Sequence, residues 1–433
     1  MPRFFTFLAI FLPILAALFL YRSSIDLRAL GLPLTWPLAA HPDQEHSLHF
    51  NQGSDQQPFQ PIDAIDTAVH SARPTPSAPV VPSHVPDGTY TRRIVAVGDL
   101  HGDMPNAQEV LHMAGVVDEH GNWSGNVDFF VQTGDIIDRG DDTIKLYTWM
   151  DQLRDQARAV GGTVLSHLGN HEWMNAIGDW RYVYPSELMT FGSIAARQRE
   201  LSVGHIGRSW AANYSTASRL PLHQLLGPPN LDFTPGEPGY PLSPQSPVSH
   251  AAISFCHGGL APSYPDLSPF PSRINELGAS LLKKLQHRPQ PAPHPPYPYP
   301  GLPADATLAE QRMYGADGPL WYRGWALDPE EKVCKEVDDV LQRTGTRRMV
   351  MGHTPDFQKI VSRCGGKIII IDTGISHAYG GALSALSITY TLTPESDESG
   401  MARWSENEVV KAVYQDREEV LANDTREIVG SLL

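Results

Sequence analysis

The sequence predicts an α/β protein of the layered α+β kind, and three observations carry that expectation. Short apolar runs rich in β-branched residues recur as RRIVAVGD, VDFFVQTGD, GTVLSHLGN, AAISFCHGG, RRMVMGH and KIIIIDTG, each of strand length. They are apolar at consecutive rather than alternate positions, the pattern of strands covered on both faces. Between the first three lie NAQEVLHMAGVV and DDTIKLYTWMDQLRDQARAV, whose apolar residues return at helical spacing, so strand and helix alternate.

The segments follow in order. Residues 1–22 hold an uncharged apolar run from Phe4 to Tyr21 between Arg3 and Arg22, and these 18 residues approach the length needed to cross a bilayer. The run exceeds the ~7 to 15 apolar residues usual in a cleaved signal. It is therefore read as an uncleaved anchor that makes the chain a single-pass membrane protein of the secretory pathway; a cleaved signal and a secreted or luminal product is the alternative. Residues 23–88 show no sustained period and accumulate Pro, Ser, His and Gln, which suits an extended, disordered stalk. A folded body is expected over 89–395, interrupted by proline-dense surface loops at 227–247 and 288–303, since proline removes donors and φ freedom that helices need. The chain closes with ALSALSITYTLTP and WSENEVVKAVYQD, read as a terminal pair of strands followed by a short acidic helix, the part at 396–433 forming a C-terminal extension.

Composition narrows the function. An apolar content of 41% over 433 residues can furnish a large core. The formal charge is −15, from 48 acidic and 33 basic residues, and no lysine or arginine block occurs, so nucleic acid is excluded as a partner. Cys256, Cys334 and Cys364 are too few for a disulfide framework and none lies in a CxxC pair; one disulfide is allowed, and the sequence leaves its pairing open.

The informative feature is where polar residues sit. GDLHGD (98–103), GDIIDRG (134–140), GNHE (169–172), HGG (257–259) and GHT (352–354) each directly follow one of the expected strands. In layered α/β folds the carboxyl ends of neighbouring strands gather at one edge, where ligands bind. Asp99, His101, Asp135, Asn170, His257 and His353 are mixed oxygen and nitrogen donors without a thiolate, which suits manganese, iron or zinc. Six such donors serve a pair of divalent ions ~3.5 to 4 Å apart, a centre that generates hydroxide near neutral pH and suits a phosphate ester substrate. Arg139 and Arg323 offer planar forks for phosphate oxygens. His171, next to Asn170, is placed to act as general acid, with Asp138 as the carboxylate that orients it.

Together these motifs resemble the phosphoprotein phosphatase branch of the calcineurin-like metallophosphoesterases, over roughly residues 92–390. The first three carry most of the likeness, with 36 positions from Asp99 to Asp135 and 35 from Asp135 to Asn170. The resemblance implies a β-sandwich of two mixed sheets flanked by helices, with a binuclear metal centre at the strand ends. It implies Asp99 and His101 on one metal, Asp135 bridging, and Asn170, His257 and His353 on the other. It also implies His171 as acid with Asp138 behind it, and Arg139 with Arg323 as the phosphate clamp. DTGISHAYGG (372–381) stands where serine/threonine phosphatases carry an SAPNY-type loop, and GDLHGD replaces their GDxHGQ. With LWYRG, these departures make the chain look like the bacterial-type Shewanella-like phosphatases, which include phosphotyrosine-directed members.

The expected activity is hydrolysis of phosphate monoesters, on a phosphorylated protein or peptide, by direct attack of a metal-bridging hydroxide. Two alternatives differ in kind: a dinucleoside polyphosphate hydrolase of the diadenosine tetraphosphate type, and a membrane-tethered, non-catalytic phosphoprotein-binding protein. Glu172, Asp103 and Asp141 are left outside the site, Glu172 as a hydrogen-bonding support. His377 and Tyr379 are read as structural, in a loop that could face the centre.

Overall fold

Consecutive apolar residues give each central strand two faces to bury, and the fold supplies a different layer to each. The computed structural model describes residues 88–234, 248, 250–395 and 402–429, so the expected anchor and nearly all of the stalk lie outside the described residues. β1 (Tyr90–Val97), α1 (Met104–Met113), β2 (Phe129–Gln132), α2 (Thr143–Ala159) and β3 (Thr163–His167) alternate as the sequence predicts. Then come α3 (Asn170–Ile177), α4 (Pro185–Phe191), α5 (Ile194–Ser202), α6 (His205–Asn213), β4 (Tyr214–Ser215) and β5 (Ala217–Pro221). The second half runs through β6 (Ala252–Cys256), α7 (Ser272–His287), α8 (Leu308–Tyr314), α9 (Gly324–Leu327), α10 (Glu330–Thr344) and β7 (Arg348–Met351). β8 (Val361–Arg363), β9 (Ile368–Ile370), β10 (Ser384–Glu395), β11 (Arg403–Tyr414) and β12 (Glu418–Val429) complete it.

Two mixed sheets result, one ordered β12-β11-β10-β1-β2-β3-β4 and the other β5-β6-β7-β9-β8. β1 to β4 are parallel neighbours, as are β6, β7 and β9, and antiparallel strands flank both sets. Between the sheets, Ile94, Ala96, Phe129 and Val131 share one core with Ile253, Phe255, Val350 and Ile369. On the other face of the first sheet, Val95, Val97 and Phe130 pack with Leu146, Met150 and Leu153 of α2. On the other face of the second, Met349, Met351, Ile368 and Ile370 meet Val333 and Val337 of α10. Neighbouring residues of one strand thus enter different cores, as the pleat requires, and the expected sandwich flanked by helices is formed.

The tail corrects one expectation. WSENEVVKAVYQD does not form an acidic helix; it supplies β11, which pairs with β10 and β12 along its whole length. Burial alternates there, with Glu406, Glu408, Val410, Ala412 and Tyr414 inward, so two of the buried positions carry charge and hide the period-two signal. Those carboxylates are matched: Tyr390 donates to Glu406 at 2.8 Å, and Arg348 pairs with Glu408 at 2.6 Å. The 288–303 loop is also tied down, with Arg288 donating to the Ile177 carbonyl at 2.6 Å and the His294 amide to Gly178 at 2.8 Å.

Cys334 of α10 and Cys364, 30 positions later, form a disulfide, and Cys256 is free and buried. Closing a loop of that size contributes roughly 2–4 kcal/mol by restricting the unfolded chain. Cys334→Ser is therefore expected to lower the denaturant midpoint of the purified protein, and reductant to do the same to the wild type but not to the variant. Among the described residues no helix is long and apolar enough to cross a membrane.

Candidate metal centre and active site

The turns after β1, β2, β3, β6 and β7 converge, and their backbones are unusual. Of the seven non-glycine residues with positive φ among the described residues, five are His101, Asp135, Asp138, Arg139 and His353. Such conformations persist only where the surroundings enforce them, and they cluster at functional sites. The chains also approach closely. A Cβ on Gly134, whose φ is +99°, would lie 2.4 Å from the Gly169 nitrogen, and one on Gly169 would lie 2.2 Å from Asp135 Oδ1. Gly169→Ala must therefore push Asp135 aside; the expected result is loss of any divalent metal held there, read by elemental analysis of the dialysed protein.

Histidine donors are oriented by backbone carbonyls. His101 Nδ1 lies 3.0 Å from the Ile137 oxygen and His257 Nδ1 lies 2.9 Å from the Thr133 oxygen, so each ring can donate there and turn Nε2 inward. His101 Nε2 is 3.8 Å from Asp135 Oδ2 and 4.0 Å from Asp99 Oδ2. His257 Nε2 is 2.7 Å from Asn170 Oδ1 and 3.2 Å from Asp135 Oδ2. The His353 amide donates to Asp99 Oδ1 at 3.2 Å, and its ring Nε2 is buried without a hydrogen-bond partner.

Protonation follows from these surroundings. Burial, with the His171 charge, lowers His101 to about 3. His353 is held well below the usual histidine range by burial and by the His257 and Arg323 charges. Burial alone would lower His257, but the Asp135 and Asp99 carboxylates outweigh it and push it up to about 10. For Asp135 burial would raise the value, yet the surrounding histidines, His257 first, hold it well below the carboxylate range.

The donor set fits divalent cations. His101, Asp135 and His171 form one group of ligand atoms within 4.8 Å of one another; Asp135, His257 and His353 form a second, so Asp135 is common to both. Asp99, Asp135, Glu172 and Asp372 are each no more than 3% exposed. Among the described residues none of the four pairs with lysine or arginine, and the ion-pair partners of Asp99 and Asp135 are histidines. An uncompensated buried carboxylate costs on the order of several kcal/mol, so such a cluster calls for positive charge from outside the chain. The orphaned His353 nitrogen and the Asn170 and Asp135 oxygens converging on His257 Nε2 mark where it would sit.

Beside this centre stands the second set. His171 Nδ1 is 2.6 Å from Asp138 Oδ2, and its amide donates to Asp135 Oδ1 at 2.9 Å. Burial alone would lower His171, but Asp135 and Asp138 together raise it above its ordinary value. Arg139 Nη2 lies 3.3 Å from His171 Nε2, and the guanidinium stacks 4.2 Å from the Tyr182 ring and 5.0 Å from the Tyr379 ring. Arg323 is placed differently: it donates to the His353 carbonyl at 2.7 Å and to Thr354 Oγ1 at 3.1 Å, bracing the loop that carries His353.

The comparisons with known proteins agree with this geometry. The Calcineurin-like phosphoesterase profile matches residues 92–357. The chain belongs to the calcineurin-like phosphoesterases. An uncharacterized protein of Schizosaccharomyces pombe is 35% identical over 331 residues, covering 76% of this chain and 82% of the relative. Shewanella-like protein phosphatase 2 of Arabidopsis thaliana is 26% identical over 315 residues, covering 66% of this chain and 71% of the relative. A cold-active protein-tyrosine phosphatase of a psychrophilic Shewanella shares the fold, with a TM-score of 0.52 at 21% identity over 76% of this chain and 80% of its own. This calcineurin-like phosphoesterase is a hydrolase of the phosphatase class, in a family that uses a binuclear metal centre.

Several residues of this phosphoesterase escape sequence reasoning or gain a definite task. Asp372, two residues past β9, lies against Asp99; burial pushes it up to about 6. Its signal is the one used for the other turns, an acidic residue at the end of an apolar strand. Glu172 is a support, as expected: its carboxylate accepts from the amides of Asp135 (2.9 Å), Ile136 (2.8 Å) and Gly169 (2.7 Å) and from Tyr147 Oη (2.7 Å). Burial and the Asp135 charge raise its pKa, while four donors leave no free lone pair for a proton and favour the ionised form. Asp103 caps α1 through the Asn106 amide at 3.1 Å and accepts from the His377 amide at 2.7 Å, tying the DTGISHAYGG loop to the GDLHGD turn. That loop does face the centre: the Tyr379 ring is 5.5 Å from His101. Tyr182, which carries no motif, is 4.9 Å from the His171 ring.

Proposed function

We propose that the chain hydrolyses phosphate monoesters on phosphoproteins, with phosphotyrosine preferred over phosphoserine and phosphothreonine. Asp99, His101, Asp135, Asn170, His257 and His353 would hold two divalent cations, manganese first in view of the mixed oxygen and nitrogen donors. When bound, such a pair supplies a water acidic enough to ionise near neutral pH and positive charge facing the phosphoryl oxygens. Arg139 grips a phosphoryl oxygen with its fork, and Arg323 keeps the His353 loop in place. His171 donates a proton from Nε2 to the departing oxygen, while Asp138 holds its Nδ1–H and stabilises the charged ring before transfer.

The observation that carries the tyrosine preference is the aromatic wall at Arg139. Tyr182 and Tyr379 flank its guanidinium, Phe357 is 5.7 Å from Tyr379, and Tyr182 and Phe357 are 37% and 49% exposed. An aryl ester can lie against these rings, where a short serine ester leaves them wet. The similarity to a protein-tyrosine phosphatase points the same way. A phosphopeptide panel with manganese is expected to give kcat/KM at least about tenfold higher for phosphotyrosine, about 1.4 kcal/mol, within the range of one aromatic contact. Equal or reversed preference would sink the proposal.

We propose as well that residues 4–21 tether the protein to a membrane of the secretory pathway. The Cys334–Cys364 disulfide supports an oxidising compartment. Alkaline carbonate extraction of vesicles tests it, and release of the full chain into the soluble fraction would rule it out.

A further inference from the structure

Arg197, on α5, is the feature that the phosphatase reading does not use and does not explain. Its side chain is fully buried, as are Glu187 and Asp138 beside it. Nη1 donates to Asn175 Oδ1 at 2.7 Å, and Nη2 donates to Glu187 Oε1 at 3.0 Å and lies 3.7 Å from Asp138 Oδ1. The guanidinium stacks 4.5 Å from the Trp180 ring. Asn175 in turn donates Nδ2 to Asp138 Oδ1 at 2.9 Å and to the His171 carbonyl at 2.9 Å. Asp138 Oδ2 meets His171 Nδ1 at 2.6 Å. A continuous path therefore runs from α5 through one amide and one carboxylate to the proposed acid.

Two physical points separate this from simple helix packing. Burying a guanidinium incurs a desolvation penalty, and an apolar side chain of similar volume often joins elements equally well. Arginine adds a planar fork with two amino groups, which here address an amide oxygen and two carboxylates at once. The Asn175 amide has two orientations that differ only in exchanging nitrogen and oxygen. Arg197 accepts only one of them, because the flipped amide would set Nδ2 against the guanidinium and Oδ1 against Asp138 Oδ1, two repulsive contacts. With the amide locked, Asp138 Oδ1 is occupied and Oδ2 alone remains for His171.

We propose that Arg197 is a positioning residue for the leaving-group acid, fixing the Asn175 amide and through it the Asp138–His171 pair. The proposal rests on the phosphatase reading but concerns one step of it: as a water-derived oxygen bonds to phosphorus, the P–O bond to the leaving group breaks and the proton on His171 Nε2 passes to the departing oxygen. An ester whose leaving group is already a stable anion does not need that proton, and one with a basic leaving group does.

The test compares phenyl phosphate with 2,4-dinitrophenyl phosphate on the manganese-loaded protein. Arg197→Met is expected to lower kcat for phenyl phosphate by about 10- to 100-fold, a part of what a general acid contributes. KM is expected to stay within about twofold, and the dinitrophenyl ester to lose less than about threefold, because binding and the metal centre are untouched. Arg197→Lys keeps the charge without the fork and is expected to recover only part of the phenyl phosphate rate. Circular dichroism and manganese content accompany each variant; if Arg197→Met fails to fold, Asn175→Ser interrupts the same path at its middle. Equal losses on the two esters, or no loss on either, overturn the positioning role and leave the phosphatase reading intact, since wild-type turnover measures that reading separately.

Discussion

Asp135→Asn is expected to reduce bound manganese from about two ions per chain to fewer than one and to lower kcat/KM on the order of 10³-fold or more, the several kcal/mol such a centre contributes. The reason is geometric. Asp135 is the one residue common to both groups of candidate ligand atoms, and its neighbours His101, His171 and His257 approach it from segments that follow three different strands. The amide side chain retains the volume but loses the negative charge, and a neutral group bridges two cations poorly. Elemental analysis of the dialysed protein and turnover of p-nitrophenyl phosphate read the two effects. A variant with full metal content and wild-type turnover would remove Asp135 from the bridging position.

The second large effect is expected for His171→Asn. kcat on an ester with a basic leaving group should fall by about 10²- to 10⁴-fold, the usual worth of a general acid, while metal content stays at the wild-type level. The pH dependence has a definite sign. An acid works while protonated, and Asp135 with Asp138 raises the His171 pKa above its ordinary value. Activity should therefore fall on the alkaline side, as His171 loses that proton. His171→Asn should abolish that alkaline limb along with the rate. A variant that loses metal in proportion to activity would instead make His171 a ligand, a role its 3.8 Å approach to Asp135 Oδ2 permits.

The sequence made the strands and turns legible because their signals are local. A run such as KIIIIDTG states its own strand and its own stop, and GDIIDRG carries its glycine, its carboxylate and its arginine in seven positions. Where the signal was divided between distant residues, it was lost. β11 was misread because Glu406 and Glu408 occupy inward positions, and only Tyr390, Arg347, Arg348 and Arg426, from other segments of the chain, make that burial acceptable. Tyr182 and Arg197 were missed for the same reason, since neither is flanked by anything that names its partner.

What the sequence determined by itself is therefore the inventory: six strands, the residues that end them, and the donor chemistry that a pair of divalent cations needs. The tertiary structure decided the orientation of those donors and the neighbours that tune them. It turned Nε2 of His101 and His257 inward by giving Nδ1 to carbonyls of the β2 loop, set Asp372 against Asp99, and placed Arg323 on the His353 loop. It also paired Cys334 with Cys364. Ligand identity is a property of side-chain types and spacing, which a chain carries in one dimension. Tautomer, charge and reach depend on atoms tens to hundreds of residues away, and only the packed sheets bring those within a few ångströms.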